Sequence, residues 1–294
     1  MNLKTTTLLL VTLSLSVTAL ADDWTQWAGN DRLCNWNETG ILKTFPKEGL
    51  KPVWSVPVGS GYSGPVVWQG RVFVTDYRPK PEPKLLEAIE RVLCLDEKTG
   101  KQLWSHEWET HYRRQLHSYA TGPRATPLVS DGRLYTLGAT GMVHCLDAKT
   151  GKVQWEYDAL EAFDAEVPAF GVSASPLAWK DTVIFVCGGS EGLLRAVDKV
   201  TGKQIWKVRQ EEPFASELAC TACPIVADGK LIVHGARSVQ ALDLSNGKQI
   251  WVAKCATTAT STPILAGKEV IVFETNRDSS GALQTTKRMN KNVL

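Results

Sequence analysis

The side chains best suited to chemistry fall in two stretches of the chain. Between Trp104 and Pro127 stand His111, Arg113, Arg114, His117, Tyr119 and Arg124; between Trp155 and Pro176 stand Asp164, Glu166 and Phe170. A guanidinium such as Arg124 binds a carboxylate or sulfate through parallel N–H donors. The imidazole of His117 titrates near neutrality and can carry a proton. Asp164 and Glu166 offer oxygens to a cation or to sugar hydroxyls. His117, Tyr119, Arg124, Asp164 and Glu166 are therefore the ligand-binding candidates, provided the two stretches converge. The more economical reading is that Arg124 and Glu166 form an ion pair that fixes the loops, with the histidines merely exposed, because structural ion pairs outnumber catalytic ones. No catalytic residue is assigned.

Sulfur and metal chemistry find less support. Cys220 and Cys223 form a Cys-x-x-Cys, but the pair enters a strand rather than a helix, and no second such pair completes a zinc site. No metal ligand is assigned. Cys94 and Cys145 align with Ala196 and Ala241, the place of a small buried strand residue. Cys34, Cys187 and Cys255 have no assigned role. The chain has 7 cysteines, so in an oxidising compartment at least one thiol stays unpaired or pairs between chains. His234 aligns with Thr75, Leu137, Val186 and Phe273, which makes it a core or channel residue.

The elements that carry these residues are repeats. LDEKTGKQLW, LDAKTGKVQW, VDKVTGKQIW and LDLSNGKQIW align without a gap and end at Trp104, Trp155, Trp206 and Trp251; Trp54 stands 50 residues before the first of these. In parallel, Pro65, Pro127, Pro176, Pro224 and Pro263 each precede a short apolar run. The β-branched and aromatic runs predict strands buried on both faces. In the turn, Asp96, Asp147, Asp198 and Asp243 can accept from backbone amides, and Gly100, Gly151, Gly202 and Gly247 can take positive φ. A tandem unit of about 50 residues with four short strands is a propeller blade. The expected fold is therefore all-β: a β-propeller of four-stranded antiparallel blades, about five of them visible. The loops from each tryptophan to the next proline are longest after Trp104 (23 residues) and Trp155 (21 residues), and long loops on a rigid scaffold are where binding tends to sit. A single helix is expected, Pro83 to Val92, as a surface excursion within the first blade.

The LDxxTGKxxW motif resembles the tryptophan-docking repeat of the PQQ-like (quinoprotein-type) propeller family. The opening DWTQWAGNDR and the segment GILKTFPKEGLKPVWSVPVGSGYSGPVV are similar to secreted bacterial members, such as those of planctomycetes. The resemblance runs from about Asp23 to Phe273. It implies the fold; as to function, that family holds both quinoprotein alcohol dehydrogenases and a lipoprotein of the outer-membrane barrel-assembly machinery. Its enzymes hold pyrroloquinoline quinone (PQQ) with adjacent cysteines in a disulfide, a tryptophan under the ring, and a calcium bound by carboxylate and amide oxygens. This sequence has no Cys-Cys pair, so neither PQQ nor calcium has matching ligand residues.

Lys4, an uncharged apolar stretch from Thr5 to Leu20, and Ala19-Leu20-Ala21 form a secretory signal pattern. The expected organisation is a signal peptide at 1–21, an N-terminal extension at 22–49 and the propeller at 50–294, in a secreted or periplasmic protein with no transmembrane segment after cleavage. The mature chain carries 32 basic and 31 acidic residues, a balance with no electrostatic footprint for nucleic acid. After Phe273, the stretch Gly281 to Leu294 matches the third strand and turn of a blade, with Lys287 and Lys291 in the places of the turn's aspartate and glycine. Two closures stay open: LKPVWSV completes the last blade, or the ring is open because the chain is truncated. The functional expectation is a binding or assembly scaffold for a protein, peptide or glycan. The alternatives are a quinoprotein-type oxidoreductase, a polysaccharide-active hydrolase or lyase using Arg124, Asp164 and Glu166, and a fragment without activity of its own.

Overall fold

The structure is a computed structural model that describes residues 22–36, 38–39, 41–81, 86–113, 115, 121–188, 193–209, 222–235, 238–254, 261–267, 269–277 and 283–289. These residues form five antiparallel sheets in chain order. Blade 1 contains β1 (Val66–Trp68), β2 (Arg71–Pro79), β3 (Glu87–Asp96) and β4 (Gln102–His111). Blade 2 contains β5 (Leu128–Ser130), β6 (Arg133–Leu137), β7 (Met142–Asp147) and β8 (Val153–Asp158). Blade 3 contains β9 (Leu177–Trp179), β10 (Thr182–Gly188), β11 (Leu193–Asp198) and β12 (Gln204–Arg209). Blade 4 contains β13 (Ile225–Ala227), β14 (Lys230–His234), β15 (Ser238–Asp243) and β16 (Gln249–Lys254). Blade 5 contains β17 (Ile264–Ala266), β18 (Glu269–Arg277) and β19 (Leu283–Met289). Among the described residues, no strand pairs with the outer edge of β19.

Each blade starts immediately after one of the five prolines. Proline cannot donate to a ladder and is tolerated just ahead of a strand. In blades 2 and 4 the second and third strands are almost wholly buried, as expected of sheets covered on both faces. The fourth strand alternates between exposed positions and half-buried or buried ones.

The turns lock the blades together. Asp147 Oδ1 accepts from the Lys149 and Thr150 amides (3.1 and 2.8 Å) and from the Thr150 hydroxyl (2.8 Å). Asp96 and Asp198 repeat the arrangement, and Asp243 does so with Ser245. The glycine four residues later takes positive φ, 74° at Gly151, and the tryptophan of the preceding repeat lies against it. A Cβ on Gly151 would stand 2.6 Å from the Trp104 ring, and Gly100, Gly202 and Gly247 face Trp54, Trp155 and Trp206 in the same way. Each indole therefore crosses from one unit to the next. Trp54 Nε1 donates to Glu97 O (2.8 Å), Trp155 Nε1 to Lys199 O (3.2 Å) and Trp206 Nε1 to Leu244 O (3.0 Å). The residue across the ladder from each docking tryptophan is small: Cys94 opposite Trp104, Cys145 opposite Trp155, Ala196 opposite Trp206 and Ala241 opposite Trp251.

Two expectations need correction. The segment from Glu87 onward is β3, not the C-terminal half of a helix, and residues 82–85 lie outside the described set. The hairpin β2–β3 runs on to Pro79 opposite Ala88, and the alternating burial of Glu87–Val92 fits an extended strand. Near the end of the chain, Lys287 does not occupy the aspartate position of a turn. It pairs with Val272 inside the strand, and β19 runs on to Met289 opposite Val270.

Candidate binding site

The residues just ahead of the five prolines converge on the axis and bond one blade to the next. Gly64 N donates to Thr126 Oγ1 (3.1 Å), Thr126 N to Ser175 Oγ (2.9 Å), Ser175 N to Cys223 Sγ (3.2 Å) and Cys223 N to Thr262 Oγ1 (3.0 Å). The small hydroxyl or thiol at this position thus has a purpose that the alignment alone did not reveal: it receives the backbone N–H of the previous blade. Neutral hydrogen bonds of this kind contribute about 0.5–1.5 kcal/mol each.

The N-terminal segment crosses this belt. Trp24 exchanges backbone bonds with Val67 of β1 (3.0 and 2.8 Å), and Val129 N of β5 donates to Thr25 O (2.8 Å). Asn30 ties the segment's turn by accepting from Thr25 N and Oγ1. The chain then delivers Arg32 into the axis, where Nη1 donates to Pro176 O (2.7 Å) and to Gln26 Oε1 (3.2 Å), and Nη2 reaches Ser175 O (3.4 Å). Arg32 is only 7% exposed, and its Nε is buried without an acceptor. Burial presses the guanidinium below its ordinary pKa, while the nearby Cys223 sulfur acts in the opposite direction.

Beside Arg32 lies a cavity of about 820 Å³. Arg32, Arg124, Trp27, Tyr62, Thr126 and Ser175 give it its character, and among the described residues no aspartate or glutamate lines it. Two guanidinium-bearing side chains, hydroxyls and aromatic faces without a carboxylate make a surface for an anionic or hydroxyl-rich group.

The expected site residues separate on this geometry. Arg124 lines the axial cavity. Asp164 is exposed at the end of a short 3-10 turn, Glu161–Phe163, in the left-handed conformation (φ 55°). Glu166 is also exposed, and neither acid lines the cavity. His117 and Tyr119 lie outside the described residues. His234 is buried in β14 beside Ser261 O (2.9 Å).

Arg124 also feels a buried acid that the sequence reading did not single out. Glu90 in β3 is fully buried and accepts from Tyr112 Oη (2.6 Å), Trp108 Nε1 (3.0 Å) and Ala139 N (3.2 Å). Burial raises its pKa above the usual carboxylate value; the three hydrogen bonds and the Arg124 charge pull it back. Asp76, 1% exposed, pairs with Arg91 through two bonds of 2.5 and 2.8 Å. These acids bind neighbouring elements together.

A family model described as outer membrane protein assembly factor BamB matches residues 88–271. The chain belongs to this PQQ-like repeat family. It is 32% identical over 139 residues to quinohemoprotein alcohol dehydrogenase ADH-IIG of Pseudomonas putida, covering 44% of this chain and 19% of that protein. It is 29% identical over 161 residues to the quinoprotein ethanol dehydrogenase of Pseudomonas aeruginosa, covering 51% of this chain and 24% of that one. The chain thus spans about a fifth of the length of these relatives. A europium-containing methanol dehydrogenase superposes with a TM-score of 0.55 at 16% identity, covering 79% of this chain and 52% of the other. The quinohemoprotein alcohol dehydrogenase of Comamonas testosteroni superposes with a TM-score of 0.54 at 19% identity, covering 74% and 40%. Both structural likenesses establish the propeller fold.

The family's enzymes imply PQQ and calcium as candidate occupants of the axial cavity. Calcium takes six to eight oxygen ligands, carboxylates prominent among them; among the described residues this cavity's lining supplies hydroxyl and amide oxygens but no carboxylate. Its two cysteines, Cys34 and Cys223, are not adjacent in sequence, and both are free thiols. The described residues do not fit the group. Among them, no helix is long and apolar enough to cross a membrane.

Proposed function

We propose that this chain is an exported binding scaffold whose axial cavity receives an acidic group of a protein or peptide partner. The observation that carries the reading is Arg32, a buried guanidinium with carbonyl and amide partners but no carboxylate, beside a cavity to which Arg124 adds a second cation. A buried charge without a counter-charge costs several kcal/mol, and an anion arriving from a partner offsets that cost. The tryptophan and tyrosine of the lining supply rigid contact area of the kind that anchors interfaces. The signal pattern at 1–21 supports export to the periplasm or beyond, and the barrel-assembly description of the matching family is consistent with a protein partner.

The test is calorimetric titration with a short peptide ending in two glutamates, alongside its amidated, glutamine-substituted counterpart. The acidic peptide is expected to bind, with affinity that falls as salt rises, and Arg124→Gln is expected to weaken it at least tenfold. Equal affinity for the two peptides would overturn the reading.

A second reading, a quinoprotein-type oxidoreductase, is favoured by the relatives that match in sequence. Thermal unfolding with PQQ plus calcium separates the two, because a ligand of the folded state raises the midpoint with concentration. No shift is expected. A clear shift would establish a quinone site and displace the scaffold reading.

A further inference from the structure

The interface between blades 1 and 2 brings together three groups that lie far apart in sequence. His106 comes from β4, the outer strand of blade 1; His144 comes from β7 and Glu156 from β8, in blade 2. One ligand atom from each lies within 4.8 Å of the others. His106 and His144 meet edge to face with ring centroids 4.8 Å apart, backed by Trp108 at 4.5 Å from His144. His144 is 1% exposed, and its Nε2 stands 3.7 Å from Glu156 Oε2, whose side chain is 54% exposed. His106 Nε2 is buried and has no hydrogen-bond partner.

We infer that His106, His144 and Glu156 form a binding site for a first-row divalent cation of the zinc class, which bridges blades 1 and 2. Two imidazoles and one carboxylate are the donor set such ions prefer, with ligand distances of about 2.0–2.2 Å. In tetrahedral geometry those distances place donor atoms about 3.3–3.6 Å apart. The observed spread of up to 4.8 Å must therefore contract by about 1.2–1.5 Å, while the His144–Glu156 pair, at 3.7 Å, already stands near that spacing. The orphaned Nε2 of His106 gives the second, independent sign, since a buried polar atom without a partner is costly unless something satisfies it. The other face of His144 is already oriented: Nδ1 lies 3.5 Å from Thr136 Oγ1, leaving Nε2 toward Glu156. A second partner on the far ring nitrogen is what fixes a ligating histidine. Because the Glu156 side chain is 54% exposed, water would complete the shell as the fourth ligand.

The fold uses these positions as an inter-blade brace elsewhere. In the next repeat the equivalents of His106, His144 and Glu156 are Tyr157, Arg195 and Lys207. There Arg195 stacks over the Tyr157 ring at 4.1 Å, so a cation–π contact joins blade 2 to blade 3. At the third interface the equivalents are Val208, Gln240 and Val252, which cannot hold an ion. Among the described residues, the donor set occurs at one interface.

The experiment titrates the full chain with Co²⁺, whose visible bands report tetrahedral nitrogen–oxygen ligation, and then with Zn²⁺ while following thermal unfolding. We expect saturation at one metal per chain, and a Zn²⁺-dependent rise of the midpoint. His106→Phe keeps the packing against Trp108 and should abolish both signals; Glu156→Gln should weaken binding at least tenfold. His111→Ala, at an exposed histidine of the same strand, should change neither. No saturable binding to the wild-type chain, or binding that survives His106→Phe, would overturn the assignment. Circular dichroism of each variant confirms that loss of binding is not loss of fold.

Discussion

At the scale of single residues, buried acids and turn aspartates behave in opposite ways, and both behaviours can be measured. Glu90 sits where three donors converge without water. Glu90→Leu would leave the Trp108, Tyr112 and Ala139 donors buried and unmatched, at about 1–3 kcal/mol for each donor that finds no substitute. Urea denaturation should show a loss of at least about 3 kcal/mol by the same reasoning, and a change within experimental error would mean that these bonds exchange readily with solvent. Asp147 shows the converse: hydrogen bonds from Thr150 and the Lys149 and Thr150 amides hold its carboxyl below the ordinary value of 3.8. Its stabilising effect is therefore fully present above that value and is lost as pH falls through the lower, folded-state value. In acid titration monitored by fluorescence, Asp147→Asn should be less stable than wild type at pH near 7, and the gap should close in acid. A gap that persists at low pH would rule out the carboxylate as its source. Arg124, which lines the cavity, could be picked out as a candidate because it ends a long loop before a strand. Arg32 was not, because its partner Pro176 lies 144 positions away and nothing local marks a residue that acts across the axis. The histidine pair escaped for the same reason, as no spacing motif links one blade's outer strand to the next blade's third strand.

At the scale of elements, the repeat made most of the fold readable. Aspartate, glycine and tryptophan recur at fixed offsets because each serves one contact: the turn, the positive φ, and the docking against the following unit. That coupling predicts unequal effects from equal substitutions. Trp155 rests on Gly202 and donates to Lys199 O, whereas Trp251 Nε1 has no acceptor and no described glycine faces its ring. Trp155→Ala should cost about 2–4 kcal/mol and Trp251→Ala about 1–2 kcal/mol, because both indoles are partly buried and only Trp155 also loses a glycine contact and a hydrogen bond in the next unit. Equal losses in thermal unfolding would deny inter-blade docking its role. Gly151→Ala is a sharper probe, because it adds about 1–2 kcal/mol of left-handed backbone strain and also forces the Trp104 ring away. The helix expected at Pro83–Val92 fails on the same physics that made the repeats succeed. Its apolar residues fit either period, and the deciding contacts come from the opposite strand of the hairpin, from Arg78 against Ile89 to Thr75 against Val92. Local sequence carries no record of that partner.

At the scale of the whole molecule, the stretch beginning at Asp22 is more than an appendage to the propeller. Its backbone pairs with β1 through Trp24 and with β5 through Thr25, and Arg32 reaches the blade 3 carbonyls. A single short segment therefore ties three blades together at the axis, over a belt of hydrogen bonds that already runs from Gly64 to Thr262. Blades contact mainly their neighbours, so stability in such arrays is close to a sum of nearest-neighbour interfaces; a segment that spans three units adds coupling the blades lack on their own. Removing it should uncouple them. Deletion of residues 22–35 is expected to expose the Val67 and Val129 amides to hydrogen exchange, because Trp24 and Thr25 supply their acceptors. The β15 amides of blade 4, paired within their own sheet, should keep their protection if the blades remain individually folded. Arg32→Met should give a weaker form of the same pattern, removing the tie to blade 3 and leaving the pairing at β1 intact. If the deletion instead released all five blades equally, the segment would be part of one cooperative core rather than a clip. If it left Val67 and Val129 protected, the segment would contribute nothing to the coupling of the ring.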